Sequence, residues 1–408
     1  MMKKIKVILS TNGPLYLIKS AEFLAPLVDI LVIQGWIPRW FDKFLIRIAS
    51  KIIGRDLAKS LQKRTPKSLN GRNKSVALPE FYYWFRKHFI LKESLYIPIQ
   101  AAKMYGFLSK RYIKNADIFH VRSGSGLGGA ITKAKRKGMK VLVDHSIAHP
   151  AFMDKQMQKE YDKNGVLFDM GMTTPFWQGV LDDCENADCL LVNSDFVKGT
   201  FVEQGYNPNR IQVVSQGVRE DFFQLKQNYT ADSKIKILFT GSFGFRKGGE
   251  YLLKALQELD RRRIDYEMTI VGSYAGAENL IDKFRPEHIR FMGHVLQEDL
   301  KMFLSDSDIY LFPSLCEGCA SSGMEAMAAG LPVVATIESG LPIKNGENGM
   351  LIPSKDSDVI VDVIIKLSQN QVLRERIGTA AANTIAGNYT WEHYAQKVFD
   401  VYTHLLNK

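Results

Sequence analysis

The 408-residue chain contains no run of about 18 apolar residues, so no helix in it is expected to cross a bilayer. Cysteine is scarce. Cys184, Cys189, Cys316 and Cys319 cannot build a disulfide framework in a chain of this length, and free thiols point to a reducing, cytoplasmic setting. Cys316 and Cys319 have the spacing of a zinc or redox pair, but no second Cys-x-x-Cys and no nearby His pair completes four ligands, so no metal is expected. Neither an internal repeat nor a low-complexity tract occurs, which excludes a solenoid. The apolar run after Met-Met-Lys-Lys is about five residues, too short for a signal peptide, and reads as a first strand.

What the chain does hold is an apolar content of 46% with 24% charged residues, the balance of a globular protein, and enough length for two domains. The net charge of +11 is unevenly placed. Residues 36–115 carry 18 Lys and Arg against 4 acids, so this insert exceeds the excess of the whole chain. Within it, Phe41, Phe44, Leu45, Ile48 and Ile52 fall at helical spacing, with Arg39, Lys43, Arg47 and Lys51 between them. That pattern predicts an amphipathic basic helix over 39–53, suited to an anionic membrane surface or to packing on its own domain. The aromatic run Phe81 to Phe85 precedes Arg86-Lys-His88, but no nucleic-acid module surrounds it, and no nucleic-acid partner is expected.

The rest of the chain is organised around residues 311–336. Ile309 to Phe312 reads as a strand, Pro313 to Gly318 as a loop, Ser321 to Ala329 as a helix stopped by Gly330-Leu-Pro332, and Val333 to Ala335 as a second strand. Loops at strand carboxyl ends in open α/β sheets bind ligands, and a helix start favours an anion. Glu317 precedes this helix and Glu325 lies in its second turn, so the two carboxylates flank the anion position at different depths. A nucleotide-sugar, with hydroxyls at both ends and a diphosphate between, fits that layout.

The stretch closely resembles the E-x7-E signature of retaining GT-B glycosyltransferases of the family 4 type. The resemblance covers most of residues 116–408 and is loose in the basic insert. It implies two Rossmann-like doubly wound α/β domains facing a cleft: residues 1–218 on the acceptor side with the insert 36–115, residues 219–388 binding the nucleotide-sugar, and a crossover helix at 389–408 returning to the first domain. Glu317 would be placed by the donor sugar and Glu325 would bind the ribose hydroxyls. Gly318, Cys319, Ala320 and Ser321 would complete the donor loop, with Ala320 where the family often has Gly. Gly13, in the first βα loop, would approach the substrates across the cleft. A family subgroup has an Asp, four residues and then a His, which matches Asp144 and His149. His149 is the expected active-site histidine and His145 the reserve, with His145-Ser146 standing where Arg-Gly is usual.

Two further features can be read from the residues themselves. Arg246 and Lys247, in Gly241-Ser-Phe-Gly-Phe-Arg-Lys-Gly-Gly249 at a helix start, form a diphosphate site by simple electrostatics, although the family's Arg position is occupied here by Ser242. Arg122-Ser-Gly-Ser-Gly-Leu-Gly-Gly129 follows a strand like a dinucleotide fingerprint, but the matching acidic residue is missing apart from Asp144. The expectation is therefore a metal-independent, cofactor-free transferase. It would take a nucleotide-sugar donor and a glycan or lipid-linked acceptor, in the cytoplasm or on the inner membrane face. The alternatives are a phosphorylase or nucleotide-sugar hydrolase on the same fold, or a non-catalytic membrane- or nucleic-acid-binding scaffold.

Overall fold

The computed structural model describes residues 4–13, 16–38, 47, 64, 66–86, 96–168, 171–231 and 233–407. Apart from Arg47, the predicted basic helix over 39–53 lies outside them.

Two sheets, each parallel throughout, carry the chain. The first contains β1 (Lys6–Thr11), β2 (Asp29–Gln34), β3 (Asn73–Ser75), β4 (Ile118–Arg122), β5 (Lys140–His145), β6 (Cys189–Val192) and β7 (Ile211–Val213) in the order β3-β2-β1-β4-β5-β6-β7. The second contains β8 (Ile235–Thr240), β9 (Tyr266–Val271), β10 (Ile289–Gly293), β11 (Ile309–Phe312), β12 (Val333–Thr336) and β13 (Met350–Ile352) in the order β10-β9-β8-β11-β12-β13. The central strands are apolar runs rather than alternating ones, because helices cover both faces. Val7 to Leu9, Ile237 to Phe239 and Ile309 to Phe312 are all buried. In each sheet the strand order reverses beside its first strand, at β1/β4 and at β8/β11. Ligand crevices form at such points, so the loops after these four strands are the ones to examine.

The insert contributes more order than its sequence suggests. Asn73–Ser75 reads as loop, yet it pairs with Val32 to Gln34 as an edge strand. The aromatic run lies on the helix Leu78–Phe85, opened by Pro79 in its first turn.

The domains are joined by packing as well as by the chain. One buried apolar cluster holds the second-sheet core together with Ala148, Met153, Met157, Trp177 and Val180 from the N-terminal domain. The C-terminal helix Trp391–Leu406 is capped by Thr390, whose hydroxyl accepts from His393 N, and it crosses back to the first sheet. There Trp391 stacks on Phe23 with ring centroids 6.0 Å apart, and Tyr402 Oη lies 2.6 Å from His120 Nδ1. Val218 N donates to Tyr389 O, so the outgoing and returning strands of the chain run side by side.

Candidate active site

The loop after β11 is fixed from three sides. Leu315 N donates to Arg246 O and Ser314 Oγ to the same carbonyl, which ties the loop to the segment after β8. Glu317 N donates to Glu338 O and Ala320 N to Ser339 O, which ties it to the segment after β12. From the opposite domain, Ala148 N donates to Glu317 O at 3.1 Å and Ser194 Oγ to Gly318 O at 2.5 Å. A Cβ at Gly318 would lie 2.0 Å from Ser146 O, so only glycine allows the two domains to meet at this point.

Arg246 and Lys247 lie on the 3-10 turn Phe245–Lys247 and both reach Glu317 Oε1, Lys247 Nζ at 2.5 Å. Gly248 allows this approach: its φ is +72° and a Cβ there would lie 1.9 Å from Pro313 O. Burial pushes the Lys247 ammonium below its usual range, and the Glu317 carboxylate opposes that shift. A cavity of about 350 Å³ opens over this group, lined among others by Lys247, Glu317, Gly318, Cys319, Ala320 and Ser321.

The helix after the loop starts at Ser321, as the sequence predicts, and no side chain caps it, which leaves first-turn N–H groups for a ligand. Glu325 lines a second cavity of about 190 Å³ on the other side of that helix start, with Tyr16, Gln216, Arg219 and Trp391. Burial pushes its carboxyl up to about 7, against the pull of Arg219 and with a smaller push from Asp221. Ser321, Tyr16 and Gln216 line both cavities, so the two glutamates are separated by one helix start. Cys316 and Cys319 are free and buried, and burial pushes both thiols up to about 12, which leaves them protonated.

Residues 221–384 match the family model described as Glycosyl transferases group 1. The match thus falls on the C-terminal part of the chain, from just before the second sheet to the last helix before the crossover. It is 30% identical over 241 residues to a D-inositol 3-phosphate glycosyltransferase of Corynebacterium diphtheriae, covering 53% of this chain and 56% of that one. It is 29% identical over 197 residues to the amylovoran biosynthesis glycosyltransferase AmsK of Erwinia amylovora, covering 45% and 48%. The chain thus spans about half the length of the curated relatives it matches. Among solved structures, Anabaena HepE in complex with UDP and glucose superposes with a TM-score of 0.63 at 13% identity, over 98% of this chain and all of that one. At that identity the likeness shows the fold, which is GT-B.

On the N-terminal side, the loop after β5 separates the two candidate histidines. His149 is the N-cap of the helix Pro150–Lys163: its Nδ1 accepts from Ala151 N, and its ring packs on Phe201 and Tyr206 with centroids 4.8 and 5.7 Å away. It lines none of the three cavities described. His145, the reserve, lines a third cavity of about 520 Å³, and Ser146 lines both this cavity and the 350 Å³ one. Burial, aided by the Arg122 charge, pushes the His145 imidazole down to about 3, so it is neutral, with Nδ1 2.9 Å from Ser123 Oγ. Of the two histidines, His145 is the one that lines a cavity among these three. Gly13 lines none of these three cavities, whereas Asn12 and Tyr16 on either side of it do line one or more.

The glycine-rich loop after β4 serves packing. Cβ atoms at Gly106 and Gly128 would lie 1.7 Å from Leu127 O and 2.2 Å from Lys103 O, so the loop and the helix Tyr96–Ser109 meet backbone to backbone. Asp183 holds the loop by accepting from Gly124 N and Gly126 N at 2.7 and 2.8 Å.

Beneath the cleft lies a network that sequence reading missed. Asp144 accepts from Tyr16 Oη and from Arg122 Nη1, and His120 Nε2 approaches it at 3.6 Å, with Tyr402 on the other ring nitrogen. Burial alone would raise the Asp144 carboxyl; the His120 contact and the Arg122 charge outweigh it and hold the group below its usual range. Tyr16 carries no sequence signal. Asn193 and Gln216, which also line the donor-side cavity, lie in stretches that resemble the family.

Proposed function

We propose that this protein transfers a sugar from a nucleotide-sugar to a glycan or lipid-linked acceptor, with retention of configuration and without a metal, in polysaccharide biosynthesis. The observation that carries this reading is the convergence of Lys247, Glu317 and an uncapped helix start on one cavity, with Arg246 on the same Glu317 oxygen and Glu325 on the far side of the same helix start. In it the diphosphate lies against the two cations and the first-turn N–H groups, which offset its charge as the glycosidic bond breaks. Glu317 holds the sugar hydroxyls and Glu325 the ribose. His145 and Ser146 stand where the acceptor hydroxyl meets the sugar. Tyr16, held by Asp144, closes the donor cavity from the opposite domain. The basic insert draws the protein to an anionic membrane surface, where lipid-linked acceptors reside. The complex of Anabaena HepE with UDP and glucose makes UDP-glucose a natural first donor to try.

A thermal-shift screen against UDP-, GDP- and ADP-sugars tests the reading, since a ligand at 100 times its Kd adds about 2.7 kcal/mol to stability. Stabilisation by one nucleotide-sugar, with sugar transfer or slow donor hydrolysis, is the expected result. No shift with any of them would remove the donor assignment.

A further inference from the structure

The 520 Å³ cavity differs in character from the donor cavity. Its walls are apolar and aromatic, formed by Pro79, Pro98, Ala101, Phe176, Trp177 and Val180, and its floor is polar, with Arg122, Asn12 and His145. Of the two charged residues that line it, Glu80 is already engaged: its carboxylate takes Arg64 Nη1 at 2.7 Å and Trp36 N at 2.6 Å. Arg122 is engaged on one nitrogen. Its Nη1 donates to Asp144 Oδ1 at 3.0 Å and to Asp144 O at 3.2 Å, while Nε and Nη2 have no partner among the described residues. Those two nitrogens form the side-on fork of a guanidinium, whose planar donors match a carboxylate or phosphate two bonds at a time. Asp144 orients the fork from behind. It is itself held by Tyr16, so one carboxylate links a residue of the donor cavity to the floor of this one.

Two other polar atoms of the floor are unsatisfied. Asn12 Oδ1 and His145 Nε2 are buried without a hydrogen-bond partner. Buried polar atoms of this kind ordinarily find partners, and a small rotation of either side chain toward the cavity would let a ligand's hydroxyl supply one. Because Ser146 lines both cavities, a hydroxyl held here is next to the donor sugar.

We infer that this cavity takes an acidic acceptor: a sugar bearing a carboxylate or phosphate, carried on an apolar or aromatic group, with Arg122 as the residue that selects the anion. The inference rests on the glycosyl-transfer reading above and adds the class of acceptor to it. Asn12 and His145 would receive the sugar's hydroxyls, the fork of Arg122 its anionic group, and Phe176 and Trp177 the apolar group.

The test is binding by the full chain, followed by NMR or calorimetry, with UDP, GDP and ADP all present so that the diphosphate site is filled. The carboxylate arm compares p-nitrophenyl β-D-glucuronide with p-nitrophenyl β-D-glucoside, and the phosphate arm compares glucose 6-phosphate with glucose. Wild type is expected to prefer the acidic member of at least one pair by roughly tenfold, the scale of a charge-assisted bidentate contact. Arg122→Gln should reduce that preference to about twofold or less on the same scale, read as the ratio of acidic to neutral binding, which a general loosening of the cleft through Asp144 and Tyr16 would not change. Where that variant leaves Asp144 unpaired and unfolds, Arg122→Gln with Asp144→Asn removes both charges and carries the same expectation. Equal binding of acidic and neutral members in both arms, or a preference that survives either variant, overturns the proposal. Failure of the chain to bind any of the three nucleotides would instead sink the donor reading, and the acidic-sugar arms would still report on the cavity.

Discussion

Lys247 Nζ lies 2.5 Å from Glu317 Oε1, and Arg246 reaches the same oxygen, so one carboxylate is shared by both cations of the β8 loop. A diphosphate drawn to those cations competes with Glu317 for them. Removing the carboxylate therefore acts in two directions. Glu317→Ala is expected to hold or tighten nucleoside diphosphate affinity, because both cations are released, while turnover falls on the order of a hundredfold, as when a preorganised polar contact to the reacting group is lost. Calorimetry with the diphosphate and a transfer assay separate the two effects. A parallel loss of both would place Glu317 in the phosphate site.

Arg246→Ala and Lys247→Ala should each weaken nucleoside diphosphate binding by roughly 1.5–3 kcal/mol, the worth of a hydrogen bond to a charged group, and leave the bare nucleoside almost unaffected. Arg246 also fixes the β11 loop: its carbonyl, which accepts from Leu315 N, survives the substitution, whereas the bond from Nη1 to Cys316 O at 2.9 Å is lost, so the variant's melting temperature is measured alongside. Equal losses for diphosphate and nucleoside would make the pair structural.

The two histidines of the β5 loop make opposite predictions. His145→Ala should abolish transfer with donor binding intact, since this ring lines the cleft. Because the imidazole is held neutral, the rate should show no break from it between about pH 5 and 8. His149→Ala should instead lose a helix cap and the contacts to Phe201 and Tyr206, lowering stability by about 1–2 kcal/mol with little change in rate. A melting curve and a progress curve on each variant decide it. If His149→Ala is the inactive, stable variant, the assignment is reversed.

These outcomes bear on what a sequence can disclose. The strands around the cleft, the helix start at Ser321, the Thr390 cap and the pairing of Glu317 with Glu325 are local patterns, written within a few residues of each other, and they are where the sequence indicates. His145 and His149 share one short loop and both pack on Phe201; what separates them is that His149 also meets Tyr206 and caps a helix while His145 lines the 520 Å³ cavity, and Phe201 and Tyr206 are distant from the loop in sequence. The edge strand Asn73–Ser75 is polar and three residues long, so no periodicity marks it. The glycines of residues 124–129 look like a phosphate loop because both uses need the same close approach, and what approaches here is the helix Tyr96–Ser109. The Tyr16–Asp144–Arg122 contacts join three distant segments and leave no trace in any one of them.

The basic insert yields a prediction that rests on sequence. Arg39, Lys43, Arg47 and Lys51 lie between apolar residues at helical spacing, and each basic residue near an anionic surface contributes about 1 kcal/mol. The protein should pellet with anionic vesicles, release as salt rises, and lose binding when Lys43, Arg47 and Lys51 are replaced by Gln. Vesicle binding indifferent to both salt and these substitutions would refute the membrane role, and packing of the helix on its own domain would then account for the pattern.

Glu325 gives the prediction with the most internal checks. Its carboxyl ionises at about 7 in the folded chain, against 4.5 as the ordinary value. Between those values the folded state keeps a proton that the unfolded state has lost, so stability falls as pH rises through this window and levels off above it. Glu325→Gln removes the penalty: it should be neutral below pH 4.5 and more stable than wild type above pH 7, by on the order of 1–3 kcal/mol. Nucleotide binding runs the other way. Ribose hydroxyls donate to the ionised carboxylate, so affinity should rise as pH passes through about 7, and Glu325→Ala should lower it by roughly 1.5–3 kcal/mol at high pH and by less at low pH. Glu325→Gln also corrects for titration of the nucleotide's own phosphate, which is common to both proteins. Melting temperatures and nucleotide affinities measured for wild type and Glu325→Gln from pH 5 to pH 8.5 complete the comparison. A constant difference in melting temperature across that range would show that Glu325 is not held protonated by burial, and a wild-type affinity profile parallel to that of Glu325→Gln would remove it from the ribose.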